Sequence, residues 1–480
     1  MQINHFSPLE KLVSSIFPNE KIKAFAPLPQ SGSSRRYYRI ELENKILIGT
    51  FNEDIEENEA FFHFTEVFLS KNLPVPKIYT IDNSRKYYLQ EYLGKENLYE
   101  KLSETNSFDD EILPLYKQVL TNLVQFQLSA SSLDFSKAYP RHSFDKQSIL
   151  WDLSYFKYYF LKFLDISFNE QRLEDDFHRF ADYLLEERAD FFMYRDFQSR
   201  NVVVKNDGTV AFVDYQGGRK GALQYDLASL LYDAKANLSE EVRNYLLDFY
   251  LKELKQYIKV DETSFKNYFN AFVLIRALQA LGAYGFRGIF EQKAHFLKSI
   301  PYAIENLKRL KIKLNFLTSF PELTVVVDKI LESDKWKEYA IFDDEKEQLT
   351  VHIKSFSYKK QLPYDNSGNG GGFIFDCRFL PNPGRIDKYK HLTGIDDVVK
   401  KYLQEKKEMT QFLDNVFDIV DDAVTNYVKR EFKHISVNFG CTGGQHRSVY
   451  SAEQLYFYLK NKFGDKILLD LYHRELGIKK

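Results

Sequence analysis

Short runs of β-branched and aromatic residues open the chain, over residues 21–25, 36–42 and 45–51. Turn residues separate them, which predicts three strands. Pro29-Gln30-Ser31-Gly32-Ser33-Ser34 divides the first two runs and predicts a turn. Residues 57–70 place Phe61, Phe62, Phe64 and Phe68 among apolar positions of helical period. Residues 87–94 read as a buried strand ending at Gly94. The pattern is helical and aromatic from 109 to about 185, breaks into short strands over 191–213, and is helical again from 223 to about 317. A strand-rich lobe followed by a helix-rich lobe is therefore expected, with boundaries at 1–93 and 94–331.

Residues 332–348 are densely charged and read as an exposed connection. Over 349–480, strands near 349–356, 373–377 and 434–439 alternate with helices near 396–403, 408–429 and 448–463. Such alternation predicts a small α/β layer structure. The stretch Asp365-Asn366-Ser367-Gly368-Asn369-Gly370-Gly371-Gly372 predicts a loop.

Composition narrows the picture. A chain of 480 residues is too long for one ordinary core. With 44% hydrophobic and 16% aromatic residues it is not a largely disordered chain. A net charge of −2 excludes gripping nucleic acid by bulk charge. Residues 349–480 hold 21 basic and 16 acidic residues, or +5, leaving 45 basic and 52 acidic, or −7, elsewhere. Two cysteines, Cys377 and Cys441, exclude a disulfide framework. No signal-peptide pattern opens the chain, and no uncharged apolar stretch reaches about eighteen residues. No membrane partner is expected, and a cytoplasmic location is.

The candidate chemistry begins at Tyr194-Arg195-Asp196-Phe197-Gln198-Ser199-Arg200-Asn201, after a short apolar strand. Asp214 follows within Phe212-Val213-Asp214-Tyr215. Phosphoryl transfer needs a carboxylate near the accepting hydroxyl and oxygen ligands for Mg²⁺ beside the phosphates. The Asp196-to-Asn201 spacing is that of a kinase catalytic loop, and Asp214 takes the place of its second metal carboxylate.

These segments, with Ser33-Ser34-Arg35-Arg36-Tyr37-Tyr38-Arg39 and Gly221-Ala222-Leu223-Gln224-Tyr225-Asp226-Leu227-Ala228, resemble the aminoglycoside phosphotransferase-like kinases. Within them the chain is most similar to the anomeric kinases of N-acetylmuramate and N-acetylglucosamine. The resemblance covers residues 1 to about 330. It implies an α+β bilobal kinase-like fold, ATP and Mg²⁺ as cofactors, and a small-molecule sugar acceptor from cell-wall recycling. It implies Asp196 as base and Asn201 and Asp214 as metal ligands. Gly32, Ser33, Ser34 and Arg35 would meet ATP at the turn, and Gln90, Glu91, Tyr92 and Leu93 at the adenine hinge. Asp152, Arg200 and Arg276 would approach the acceptor. Two departures stand out: Tyr194 replaces the usual His, and Thr50 stands near the slot of the usual ATP lysine. Arg35, Arg36 or Arg39 would supply the missing cation.

A second motif lies near the C-terminus. After the apolar run 435–439, Gly440 leads into Cys441-Thr442-Gly443-Gly444-Gln445-His446-Arg447-Ser448 and then a helical pattern. A glycine-rich turn entering a helix presents N–H groups to an anion, and Arg447 adds a phosphate donor. The spacing is also that of cysteine phosphatases, in which the thiolate attacks phosphorus. Anion binding without chemistry is the other outcome. With Phe375-Asp376-Cys377-Arg378-Phe379-Leu380-Pro381-Asn382-Pro383 and Leu392-Thr393-Gly394-Ile395-Asp396, the loop resembles the C-terminal domain of RNase adapter proteins of the RapZ type. That resemblance implies a phosphorylated sugar or nucleotide ligand, or RNA, at this domain, lined by His446, Arg378, His473 and Arg474. The family's N-terminal P-loop is absent, and a kinase takes its place. A purely regulatory, ATP-sensing protein and a kinase for a different small acceptor are the alternatives, and the oligomeric state is open.

Overall fold

The computed structural model describes residues 5–29, 35–105, 108–291, 293–339, 348–360, 362–365 and 372–480. Gly32, Ser33 and Ser34 lie outside the described residues. The chain forms two compact units, one of Met1–Ala283 with Pro301–Glu332, the other of Tyr284–Ile300 with Ser333–Lys480. The hydrophobic pattern alone assigns residues 284–300 to the helix-rich lobe; the structure groups them with the C-terminal unit.

The first unit opens with a helix, α1 (Phe6–Ile16), where the sequence pattern suggested mostly strands. Its apolar face, Leu9 and Val13, is fully buried on the sheet that follows. Gly49 permits that approach, since a Cβ there would sit 2.9 Å from Ile40 and 3.0 Å from Leu9. The strands β1 (Ala24–Pro27), β2 (Arg36–Glu41), β3 (Ile46–Phe51), β4 (Ile78–Ile81) and β5 (Tyr87–Glu91) form an antiparallel sheet in the order β1-β2-β3-β5-β4. Helix α2 (Ile55–Ser70) links β3 to β4; its N-cap Asp54 accepts from Glu57 N at 3.1 Å.

The rest of this unit is helical. It holds α3 (Leu98–Glu104), α4 (Leu113–Leu128), α5 (Lys146–Phe156) and α6 (Glu170–Leu185) before the catalytic segment. Two short ribbons, β6 (Phe191–Met193) with β9 (Arg219–Gly221) and β7 (Val202–Val204) with β8 (Val210–Phe212), carry that segment. Behind them come α7 (Leu223–Leu231), α8 (Glu240–Leu254) and α9 (Glu262–Tyr284). One helical stretch among the described residues, Glu262–Phe290, is by length and composition long and apolar enough to cross a membrane, but it carries Arg276 and its apolar window is mostly buried inside the protein. Helix α10 (Ala294–Leu297) falls in the second unit, and α11 (Ile300–Lys311) and α12 (Pro321–Glu332) complete the helical set.

The second unit is a sheet in the order β11-β12-β10-β13-β14, from β10 (Thr350–Ser357), β11 (Phe373–Asp376), β12 (His434–Cys441), β13 (Leu468–His473) and β14 (Ile478–Lys479). The first four strands are parallel and β14 is antiparallel. Helices α13 (Asp397–Gln404), α14 (Lys407–Lys429) and α15 (Arg447–Phe463) lie between strands in sequence. All eight residues of β12 are buried, polar ones included, as a central parallel strand covered on both faces requires. Its core gathers Val351, Ile353, Val437, Phe439, Leu455 and Leu459.

Candidate functional site

The catalytic segment is built by hydrogen bonds that converge on its backbone. Strand β6 runs buried into Tyr194. The carboxylate of Asp226, on α7, accepts from Tyr194 N at 2.7 Å and Arg195 N at 2.9 Å. Asp226 is fully buried, and burial pushes its carboxyl up to about 7 against those two N–H groups. Tyr194, in place of the usual His, donates its hydroxyl to Val213 O at 2.6 Å. It thereby ties the catalytic loop to the strand end that carries Asp214.

Three predicted residues meet here. Asn201 Nδ2 donates to Asp196 O at 2.8 Å and to Asp214 Oδ2 at 3.2 Å. Gln216 Nε2 donates to Asp214 Oδ1 at 2.7 Å. Burial and then the Asp196 carboxylate push Asp214 above its ordinary value, against the pull of Gln216, Arg35 and Arg200. Arg195 and Asp214 both hold positive φ, +81° and +72°. Non-glycine residues in that region are strained; one of these precedes Asp196 and the other is Asp214 itself. The donors toward a cation are all oxygen: the Asp214 carboxylate and the Asn201 amide. Among the described residues no cluster of three or more His, Cys, Asp or Glu forms a cage. One carboxylate, an amide and nucleotide phosphates suit Mg²⁺, which keeps few protein ligands.

Burial separates the candidate cations. Thr50, near the lysine slot, is fully buried and accepts from Gln90 Nε2 at 3.3 Å. Arg36 is exposed and turns to His5 Nε2, 3.3 Å away. Arg39 pairs with Glu41 and lies over the Tyr92 ring. Arg35 alone of the three is buried, at 3% exposure, and pairs with Glu57 Oε2 on α2 at 3.2 Å. Asn52 Nδ2 donates to the same Glu57 oxygen at 2.6 Å. Helix α2 in turn packs on Tyr215, beside Asp214: Phe61 stacks on its ring at 5.1 Å, and Thr65 Oγ1 shares a 2.6 Å bond with its hydroxyl. At the predicted hinge, Gln90 is buried in β5, whereas Glu91, Tyr92 and Leu93 are half-buried.

On the acceptor side the predicted residues part company. Both Asp152 oxygens accept from Arg195, at 2.7 and 2.8 Å, so this carboxylate is occupied in positioning the loop. Arg195 also donates to the Tyr225 hydroxyl at 2.7 Å. Arg276 is buried and donates to Ser229 Oγ at 3.1 Å and to Gln279. Arg200 is exposed. Glu57, Gln216, Asp226 and Arg219 were given no role by sequence reasoning. Asp226 sat within a quoted motif, but only the fold shows what it holds.

In the second unit the loop joins β12 to α15 as predicted from its glycines. Cys441 is 2% exposed. Its Sγ accepts from Gly444 N at 3.2 Å and shares a 3.1 Å contact with Ser448 Oγ. Arg447 is buried and donates to the carbonyls of Arg378 and Leu380 at 2.7 and 3.1 Å. Nη1 of the guanidinium expected from sequence to meet a phosphate therefore anchors the neighbouring segment. His446 faces Tyr389 O at 3.0 Å, and Gln445 O accepts from Gly394 N at 2.8 Å. Ser357 Oγ donates to Thr442 O at 2.7 Å. Glu475 lies against Gly444 and pairs with Lys360 at 2.6 Å. His473 is fully buried between Ser355 Oγ, 2.9 Å, and Glu453 Oε1, 3.1 Å, away from any opening. Arg378 pairs with Asp376 at 2.7 Å, and Arg474 with Glu475 at 3.2 Å.

Comparison with known proteins matches two segments of the chain. Residues 25–260 match the model of the phosphotransferase enzyme family, and residues 349–477 that of the RapZ C-terminal domain. A nucleotide-binding protein of Fusobacterium nucleatum is 30% identical over 270 residues, covering 52% of this chain and 90% of that protein. One of Endomicrobium trichonymphae is 37% identical over 131 residues, covering 27% of this chain but 43% of its own length. Among solved structures, a choline kinase of Streptococcus pneumoniae superposes with a TM-score of 0.45 at 14% identity, over 64% of this chain and 98% of that one. A thermostable aminoglycoside phosphotransferase gives 0.40 at 14% identity, over 64% and 99%.

Proposed function

We propose that this chain, which belongs to the phosphotransferase enzyme family in its N-terminal part and carries a RapZ C-terminal domain, is an ATP-dependent amino-sugar kinase. Its acceptor would be the anomeric hydroxyl of N-acetylmuramate, N-acetylglucosamine or both, in cytoplasmic recycling of cell-wall sugars. The observation that carries the reading is the bonded cluster of Asp196, Asn201 and Asp214, with Arg35 beside it on Glu57. Asp196 would accept the hydroxyl proton; an anomeric hydroxyl is the most acidic of a sugar, so a positioned carboxylate suffices. Asp214 and Asn201 would hold Mg²⁺, which when bound neutralises phosphate charge. Arg35 would face the nucleotide phosphates, and residues 90–93 the adenine. The Cys441–Ser448 loop would take a phosphorylated sugar or nucleotide.

The test is transfer from MgATP to N-acetylmuramate, N-acetylglucosamine and aminoglycosides by the full chain, with Asp196→Asn as control. Acid-labile, alkali-stable phosphate on an N-acetyl sugar, lost in the variant, is expected. ATP binding without transfer to any acceptor would overturn the kinase reading in favour of a regulatory one.

A further inference from the structure

Beside the segment that carries Asp196 lie two buried guanidiniums, Arg219 and Arg276, with no ion pair among the described residues. Arg219 opens β9, and its Cα pairs with that of Met193 on β6, three residues before Asp196. It is 6% exposed. Its Nε and one terminal nitrogen both donate to a single carbonyl, Gly217 O, at 3.1 and 3.0 Å. Among the described residues it has no ion pair. Its electrostatic neighbours are Arg195, Tyr225, Asp152 and Asp196, all around the catalytic loop. Asp152 is spent on Arg195, oxygen for oxygen. Burial, then the Arg195 charge, lowers the Arg219 guanidinium to about 10. Arg276 repeats the pattern: it is 8% exposed, bonded among the described residues to the neutral side chains of Ser229 and Gln279, and within electrostatic reach of the same Tyr225.

Buried charges are normally paired, because desolvating an ion without a counter-charge is costly. A guanidinium with a nitrogen left over, beside a catalytic carboxylate, fits a ligand that brings the missing negative charge. We infer that the acceptor carries an anionic group, a carboxylate or a phosphate, which Arg219 binds with Arg276 in support while the hydroxyl faces Asp196. This rests on the kinase reading and specifies its substrate: an acidic sugar is favoured over its neutral counterpart.

Matched acceptors test it with the full chain and MgATP. One pair is N-acetylmuramate and its methyl ester; the other is N-acetylglucosamine 6-phosphate and N-acetylglucosamine. The pair with the larger ratio tells a carboxylate from a phosphate. In one of them kcat/KM for the anionic member should exceed that for the neutral one by about tenfold or more, the worth of a charged hydrogen bond. Arg219→Gln should bring that ratio to near unity, and Arg219→Lys should keep most of it. A wild-type ratio near one in both pairs overturns the inference, whether or not Arg219→Gln folds. So does an unchanged ratio in a folded Arg219→Gln, or an effect confined to the KM for ATP. If the wild type transfers phosphate to nothing, the kinase reading has failed. Calorimetric binding of the same four sugars then decides the anion site: preference for an acid, lost in Arg219→Gln, supports it, and no preference overturns it.

Discussion

Arg35 and Thr50 bear on where a cation for the nucleotide phosphates would sit. In protein kinases the lysine that meets the phosphates stands on the third strand and pairs with a helix glutamate. Here the strand position holds a buried Thr50, while Arg35, one residue before β2, makes the pair with Glu57 on α2. Arg35→Ala should therefore lower kcat/KM for ATP by about a hundredfold, the scale of losing one transition-state donor. Arg35→Lys should recover part of that. Steady-state kinetics, with melting curves to confirm folding, check it; an Arg35→Ala variant of wild-type activity would remove the residue from the site. The juxtaposition of Asp196, Asn201 and Asp214 was legible because it follows from a fixed short spacing. The placement of Glu57, Asp226 and Arg219 was not, since each is brought there by a partner at least 22 residues away in the chain. Arg447 was legible only in part: its neighbours in sequence suggested a phosphate, and in space its Nη1 meets two carbonyls.

Elements were legible where pattern and punctuation agree. Strands β2, β3, β10 and β12 and helices α2, α14 and α15 lie within a few residues of the expected spans, because each combines a clean period with flanking turn residues. Helix α1 was not, since it is short and uncapped by any side chain. Strand β13 was hidden too: Leu468–His473 breaks its apolar run with Asp470 and follows α15 after a brief turn. The β12–α15 loop offers a sharp test of element geometry. Gly444 has φ +67°, and a Cβ there would lie 2.3 Å from Glu475 Cγ and 3.0 Å from the Ser357 backbone nitrogen. Gly443 has open space around that position and no positive φ. Gly444→Ala should cost about 1–3 kcal/mol of stability, from strained backbone and steric overlap together. Gly443→Ala should change stability by less than about 1 kcal/mol. Denaturant titration of both variants decides it, and equal effects would show that the loop is not held in this conformation.

At the scale of the whole molecule, charge separates the two kinds of partner that the C-terminal domain's relatives suggest. Residues 349–480 carry +5, the remainder −7, and the chain as a whole −2. Within the second unit many of the cations are already engaged: Arg378 with Asp376, Lys360 and Arg474 with Glu475, Lys462 with Asp421, Lys480 with Glu453. RNA affinity is dominated by phosphate contacts that release counterions, so it needs several cations free to move onto a backbone. A small phosphorylated ligand needs only a few donors at one loop. The full chain should therefore fail to retain a single-stranded RNA of about 40 nucleotides at about 0.15 M monovalent salt in a filter-binding assay. Retention at that salt, with a log–log salt slope worth several phosphates, would instead make RNA a partner of this domain. The arithmetic of free cations on the second unit would then have misled, because a few well-placed side chains would be doing what its modest net charge cannot.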